Sequence, residues 1–445
     1  MGQFVEMLEE NRHAELRTMM IAMNPVDVAY ELENVEEPDK QLLIFSMLPK
    51  DQAAAVFTYL PSDLQRQVVD GISKHRLSLI LKELPVDDAV DFLEELPANM
   101  VNAILSQAEP AKRGEINKIL QYPDYSAGSL MTVEYVILSE KLTAREALDN
   151  VRRQGGGKET IYTCYVVGEG RKLTGAVSLR RLILSPEDSL VRDIMTTSVI
   201  YVHTLEDQEE VAEKFKDYDL IVMPVVDRED RLVGIITVDD IIDVIEAENT
   251  EDFEKMAALH PSEDEYLKTG IWRLARNRIV WLLILMISAT FTGAIINHFQ
   301  ELLQTAVFLA AFIPMLMDTG GNCGAQASTL IIRGMAVGEI ELRHWLQVFW
   351  KEIRVGILVG ISLATVNFLR IFFLVKNADI RTNLTVTVTL FITVVFAKFI
   401  GGALPMAAKC LRCDPALMAS PMITTIVDAF SLFIYFSVAR ALLGG

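Results

Sequence analysis

The sequence is short of several things. Four cysteines occur in 445 residues, Cys164, Cys323, Cys410 and Cys413, too few and too scattered for a disulfide framework. Cys410 and Cys413 have C-x-x-C spacing, but no second pair and no nearby histidine completes a zinc site. The six histidines are dispersed, which weighs against a zinc hydrolase. There is no P-loop, no H-E-x-x-H and no nucleophile elbow, so no enzyme of those classes is expected. The first ten residues are acidic and lack an apolar core, so no secretory signal is expected and the N-terminus is expected in the cytoplasm. Acid is scarce after residue 270, where 8 Asp and Glu face 14 Lys and Arg.

The first 270 residues are the opposite. They hold 52 acidic and 27 basic residues, a net −25. That balance excludes nucleic acid as a natural partner and favours cations or basic partners; plain solubility would also account for it.

Apolar runs near the length of a bilayer crossing fill the second half. The first covers 279–296, directly after Arg273, Arg276 and Arg278. A second runs from about Leu302 to Arg333 and is expected to be irregular at Asp318–Gly324 (DTGGNCG). The others lie near 353–375, 384–408 and 416–443. Lys351, Arg343, Lys409 and Arg412 fall in alternate loops, against Lys376 and Arg381 in the others. The positive-inside rule then gives five spans with the N-terminus inside and the C-terminus outside.

Ionisable residues inside spans are costly and usually face a bundle interior or water. Asp428 lies deep in the last run, one turn after Thr424 and Thr425; Lys398 and Asn367 are also within runs. Pro314, Pro405 and Pro421 are expected to break helices there. Carboxylate, hydroxyl, amide and carbonyl oxygens suit a hard divalent cation, and Mg2+ keeps its waters when only one or two carboxylates are present. An internal Asp428–Lys398 ion pair is the other reading.

Residues 1–125 read as short helices punctuated by Leu48-Pro49, Leu60-Pro61, Leu84-Pro85 and Leu96-Pro97, with a Ser or Asp expected to cap each following helix. Such units stack into a superhelix. Asp87, Asp88 and Asp91 share one helix start, where they would also complement the helix dipole. Residues 126–246 contain an internal repeat: Ser129-Leu-Met-Thr132 matches Asp193-Ile-Met-Thr196, and Gly175-Ala-Val-Ser178 matches Gly234-Ile-Ile-Thr237. From Asp239 an acidic helix carries Asp240, Asp243, Glu246, Glu248, Glu251 and Asp252 toward the first span. Like charges at helical spacing repel, and a divalent cation bridging to another domain would relieve them; a solvated acidic helix is the plainer reading.

The repeat is similar to a tandem cystathionine-β-synthase (CBS) pair, a module that often binds adenine nucleotides. Thr237 and Asp240 match its hydroxyl-plus-carboxylate ribose pattern, while the first copy departs from it with Arg181. Across its length the chain resembles the MgtE magnesium transporter family. The matching runs are Pro314-Met-Leu-Met-Asp-Thr-Gly-Gly-Asn322, Thr329-Leu-Ile-Ile-Arg333-Gly334, Asp414-Pro-Ala-Leu-Met-Ala-Ser-Pro421 and Thr424-Thr-Ile-Val-Asp428.

The resemblance implies a multidomain α plus α/β membrane protein. Its parts are a helical superhelix N-domain (1–125), CBS repeats (126–188 and 189–246), an acidic connecting or plug helix (247–270) and a five-helix transmembrane domain (271–445). It implies a homodimer in the lipid of the cell membrane, conducting Mg2+ along the dimer axis. Asp428 of each protomer, with Thr424, would hold the hydrated ion, and Asp414 would stand at the inner mouth. Cytosolic Mg2+ would close the pore through Glu209, Asp219, Asp240, Asp243, Glu248, Glu251 and Asp252, with Asp87 and Asp91 as further positions. ATP at Thr237 and Asp240 is an added expectation. A Mg2+ receptor that does not conduct, or a carrier of Mn2+ or Co2+, are the alternatives.

Overall fold

The computed structural model describes residues 3–94, 96, 98–262, 266–267, 269–305, 307–374, 379–418 and 420–443. Lys376 of the loop charge count lies outside them. The chain divides into two compact units, Met1–Ile245 and Glu246–Gly445.

The first unit opens with ten short helices among the described residues, from α1 (Gln3–Glu9) to α10 (Pro110–Ile119). Alternate helices stack: α3 (Pro25–Glu33) touches α5 (Lys50–Thr58), which touches α7 (Lys74–Glu83), while α4 (Pro38–Ser46) touches α6 (Ser62–Gly71). Farther on, α8 (Val86–Glu94) touches α10. Their apolar faces meet in a core that includes Leu16, Met20, Ile44, Phe45 and Phe57, with the Phe57 ring edge-on to Phe92 at 5.0 Å. The Leu-Pro punctuation works differently from the capping expected. Pro49 and Pro61 themselves occupy the N-cap positions of α5 and α6, and neither cap makes a side-chain hydrogen bond. Ser62 and Asp63 lie already inside α6. Proline costs little there because a helix's first N–H groups lack intrahelical partners anyway. Side-chain caps come instead from Asn24 on α3 and Ser73 on α7.

Two three-stranded sheets follow. In the first, β1 (Ile137–Ser139) runs parallel to β2 (Thr163–Val167), which is antiparallel to β3 (Leu173–Ser178). The second repeats this with β4 (Val202–His203), β5 (Val222–Val226) and β6 (Leu232–Thr237). The repeated sequence motifs hold the copies together. The Thr132 backbone bonds Ile235 of β6, and Thr196 bonds Ala176 of β3. Met195 lies where a Cβ on Gly175 would come within 2.7 Å of its sulfur, and Met131 crowds Gly234 in the same way. Each copy thus sets its methionine on the glycine of the other.

The helix numbered α16 here (Val238–Met256) follows β6; between α10 and it lie α11 (Ala127–Leu130), α12 (Ala144–Gln154), α13 (Leu179–Leu184), α14 (Val191–Ile194) and α15 (Gln208–Asp217). The acidic helix expected over 247–270 is therefore the tail of the last CBS helix, and it stops at Met256. Ala258 turns left-handed there (φ 55°), and the Leu259 N–H reaches back to the Glu254 carbonyl, a bond that closes a helix end.

The second unit is built on α17 (Ile271–His298), α18 (Gln300–Thr305), α19 (Ile313–Ala336), α20 (Trp345–Leu374), α21 (Ile380–Cys410) and α22 (Ser420–Leu443). Among the described residues, four helices are long and apolar enough to cross a membrane: Ile271–His298, Leu342–Leu374, Ile380–Cys410 and Pro415–Leu442. The remaining expected span is α19, which carries polar residues along one side. Its expected break at Asp318–Gly324 is absent, because α19 runs unbroken through it. The glycines serve close packing: a Cβ on Gly320 would meet Thr393 at 2.8 Å, one on Gly321 would meet Thr424 at 2.9 Å, and one on Gly324 would meet Ile423 at 2.7 Å. Pro314 and Pro421 sit in the first turns of α19 and α22, and α21 continues through Pro405. None of the three ends a helix.

Candidate functional site

The α19 helix presents Asp318, Asn322 and Gln326 at intervals of four residues, all exposed in the single chain. Four-residue spacing puts them on one face. Asn322 Nδ2 donates to Asp318 Oδ1 at 3.1 Å, which leaves the Asn322 carbonyl oxygen and the second Asp318 oxygen as acceptors. On α22, Asp428 is half-buried within Coulombic range of Asp318. One turn earlier, the Thr424 and Thr425 hydroxyls both donate to the Pro421 carbonyl, at 2.9 and 3.0 Å. Two carboxylates and an amide carbonyl therefore share one region of the helical bundle. The alternative pairing of Asp428 with Lys398 does not form; Lys398 Nζ instead donates to Gln326 Oε1 at 3.2 Å.

A second group lies where α16 ends. Asp414 precedes α22 and accepts the Ala416 N–H at 2.8 Å through Oδ1. Its Oδ2 pairs with Lys255 Nζ at 2.7 Å, and the same ammonium pairs with Glu251 at 2.7 Å. Burial works against the Lys255 charge, but hydrogen bonds to Asp414 and Glu251 outweigh it and hold the pKa up. Burial, then the Asp414 charge, pushes the neighbouring Asp252 carboxyl up. Glu248, on the same stretch of α16, is half-buried.

A third group joins the N-terminal helices to the CBS pair within the first unit. Asp87 is 7% exposed, and its Oδ1 is buried without a hydrogen-bond partner. Its pKa is pushed up to about 9 by burial and then by Asp240, Asp88 and Glu159. Glu159 is pushed to about 7 by burial, Asp239, Asp240, Asp88 and Glu134. Asp240 is pushed to about 6, burial outweighing the Thr237 hydroxyl that donates to its Oδ2 at 2.6 Å. Lys112 pairs with Glu134 at 3.9 Å at the edge of this group. Burial and crowding make these carboxylates costly to ionise, and a cation joining them would relieve that cost. An orphaned, buried carboxylate oxygen among other carboxylates suits an oxygen-seeking divalent ion. Among the described residues, no three His, Cys, Asp or Glu side chains form a ready-made metal cage.

Asp91 is exposed on α8, Asp243 is exposed on α16, and Glu209 is exposed in the first turn of α15. Asp219, also exposed, follows α15 with left-handed φ of 50°. Thr237 is 8% exposed, and both its N–H and its hydroxyl donate to Asp240. In the first copy Arg181 donates to Thr196 at 3.4 Å. Cys410 and Cys413 are exposed free thiols. Sequence reasoning missed Glu134, Glu159 and Lys255. Lys255 had a signal, since it stands four residues after Glu251 on the acidic helix.

Comparison with known proteins agrees with this layout. Residues 313–438 match the MgtE family model, described as a divalent cation transporter. Residues 23–125 match the MgtE intracellular N domain, and 127–187 and 191–247 each match a CBS domain. The magnesium transporter MgtE of Thermus thermophilus is 38% identical over 442 residues, covering 98% of this chain and 97% of that protein. That of Bacillus subtilis is 31% identical over 439 residues, covering 99% and 96%. Among solved structures, the cytosolic domain of the Mg2+ channel MgtE in complex with ATP is 38% identical with a TM-score of 0.52, covering 54% of this chain and 98% of that one. The soluble part of a magnesium transporter is 33% identical with a TM-score of 0.52, covering 55% and 96%. With near full-length identity to named transporters, and with its N-terminal helices, CBS pair and apolar helices in that family's order, the chain belongs to the MgtE family of divalent cation transporters, multi-pass membrane proteins and not enzymes.

Proposed function

We propose that this protein conducts Mg2+ into the cytoplasm through a pore on the axis of a homodimer, and that cytosolic Mg2+ closes it. The observation that carries the proposal is that Asp428 on α22 lies within Coulombic range of Asp318 on α19, which Asn322 in turn bonds. Two protomers would supply acceptor oxygens enough to receive the outward hydrogens of a hydrated ion, which suits Mg2+ because it dehydrates reluctantly. The α19 helix, with the four apolar helices, gives five spans, an inside N-terminus and an outside C-terminus. The apolar faces of α17, such as Leu282, Met286 and Phe291, are exposed in the single chain and suit lipid.

The closing signal would act on two acidic groups. Mg2+ would join Asp87 and Asp240 with Glu159 at one, and Glu251, Asp252 and Asp414 at the other. Half-buried Glu248, and Glu209, Asp219, Asp243 and Asp91 from the surface, would supplement them. Adenine nucleotide at Thr237 and Asp240 is a second proposal, supported by a related cytosolic domain solved with ATP. The test is ion flux into liposomes holding the purified full-length chain. Saturable Mg2+ uptake is expected; Mg2+ binding without flux would make it a receptor, and preference for Mn2+ or Co2+ would change the cargo.

A further inference from the structure

Lys398 and Glu352 are charged side chains buried among the apolar helices, 5% and 8% exposed, and the ion pathway described above uses neither. Their setting is reciprocal. Glu352 and Gly356 lie four residues apart on α20, as Lys398 and Gly402 do on α21. A Cβ on Gly356 would sit 3.3 Å from Lys398 Cβ, and one on Gly402 would sit 3.3 Å from Glu352 Cγ. Each charged stem is thus accommodated by a glycine of the other helix, and Glu352 feels the Lys398 charge. Lys398 Nζ reaches from α21 to Gln326 Oε1 on α19 at 3.2 Å.

An ammonium has donors only, so the Gln326 amide must turn its oxygen to Lys398 and its NH2 group away. Waters around a cation point their hydrogens outward and need acceptors. Asp318 and Asn322 offer acceptors on the α19 face. At Gln326 the same face offers a donor backed by a fixed positive charge.

We propose that Lys398 is a positioning residue that sets where the ion rests: it makes the Gln326 level inhospitable and confines Mg2+ to the Asp318–Asn322–Asp428 level, while Glu352 tempers its charge. This rests on the reading of the α19 face as the ion pathway.

The test is the half-saturating Mg2+ concentration for flux into liposomes with full-length protein. Lys398→Met removes both the charge and the donor and should lower it roughly fivefold; Glu352→Gln uncovers the charge and should raise it by a similar factor. Lys398→Gln, which keeps a donor, should fall between Lys398→Met and the parent. Opposite shifts from the two partners are what mere loosening of the bundle would not give. Shifts of the same sign, or none beyond about twofold, with Asp428→Ala inactive, would overturn the proposal and spare the pathway. Wild-type flux in Asp428→Ala would overturn the pathway reading and this inference with it. If Lys398→Met does not fold, Lys398→Gln and Glu352→Gln decide by the same signs.

Discussion

Lys255 donates to Asp414 at 2.7 Å while also holding Glu251, so the end of the acidic helix is fastened to the segment leading into α22 by a cation belonging to the chain itself. Replacing it should show what a divalent ion does there. In Lys255→Met, three crowded carboxylates lose their tethered counter-charge. In chelator, cleavage within residues 246–260 should speed up. Added Mg2+ should then protect more steeply, since its competitor is gone and a ligand of the compact state stabilises it by mass action. Unchanged cleavage in chelator would show that the contact holds nothing.

Asp428 is expected to be the sensitive position of the pathway. Asp428→Ala should lose Mg2+ flux in liposomes while the protein still inserts and dimerises. Asp428→Glu should also be poorly tolerated, because one extra methylene moves the carboxylate into the space of the hydration shell. Size-exclusion chromatography beside the flux assay separates loss of function from loss of fold.

The junction around Asp87 makes the first unit sensitive to pH. Its carboxyls have raised pKa values, about 9 for Asp87, about 7 for Glu159 and about 6 for Asp240. In the unfolded chain these groups ionise near pH 4. From there to pH 9 the folded state binds more protons, so stability falls as pH rises. One unit of displacement is worth about 1.4 kcal/mol, enough to read in a thermal melt. Without divalent cations, the melting temperature should fall between pH 6 and pH 9. Mg2+ should remove most of that slope, and Asp87→Asn should flatten its upper part. A slope unaffected by Asp87→Asn would place the titrating group elsewhere.

Much of this was legible in the sequence because repeated motifs do repeated jobs. Met131 and Met195 match in sequence because each covers the glycine of the other CBS copy. The run Asp318–Gly324 misled because its glycines look like a break when taken alone. In the fold they admit Thr393, Thr424 and Ile423, and packing overrides low helix propensity. Glu159 was illegible because it comes from a loop more than seventy residues from Asp87. The same close packing gives a stability prediction. Gly401 lies against the Gly324 backbone carbonyl, so Gly401→Ala must push α19 and α21 apart. Gly293 has open space around it. Gly401→Ala should cost roughly 1–3 kcal/mol as an overpacked site, and Gly293→Ala should not, in matched unfolding measurements in detergent.

The last prediction divides charge from coordination in the sensor. The first 270 residues carry a net −25, and screening at ordinary salt reaches only about 8–10 Å. Acidic faces brought close together therefore still repel. A divalent ion can join carboxylates from two faces, which monovalent salt cannot. Asp243→Asn, Glu251→Gln and Asp252→Asn together should act in two opposed ways. Repulsion falls, which favours closure without Mg2+; Lys255 is then left with Asp414 alone, which strengthens that trend by giving it one undivided partner. Bridging sites are also lost, which weakens closure by Mg2+. The expected net result is an open probability that depends less steeply on cytosolic Mg2+, whichever way its baseline moves. Patch-clamp recording of inside-out membranes over a Mg2+ series measures both quantities. If midpoint and slope both match the parent protein, the acidic helix is a solvated linker, and closure must be sought at the Asp87–Asp240 junction alone.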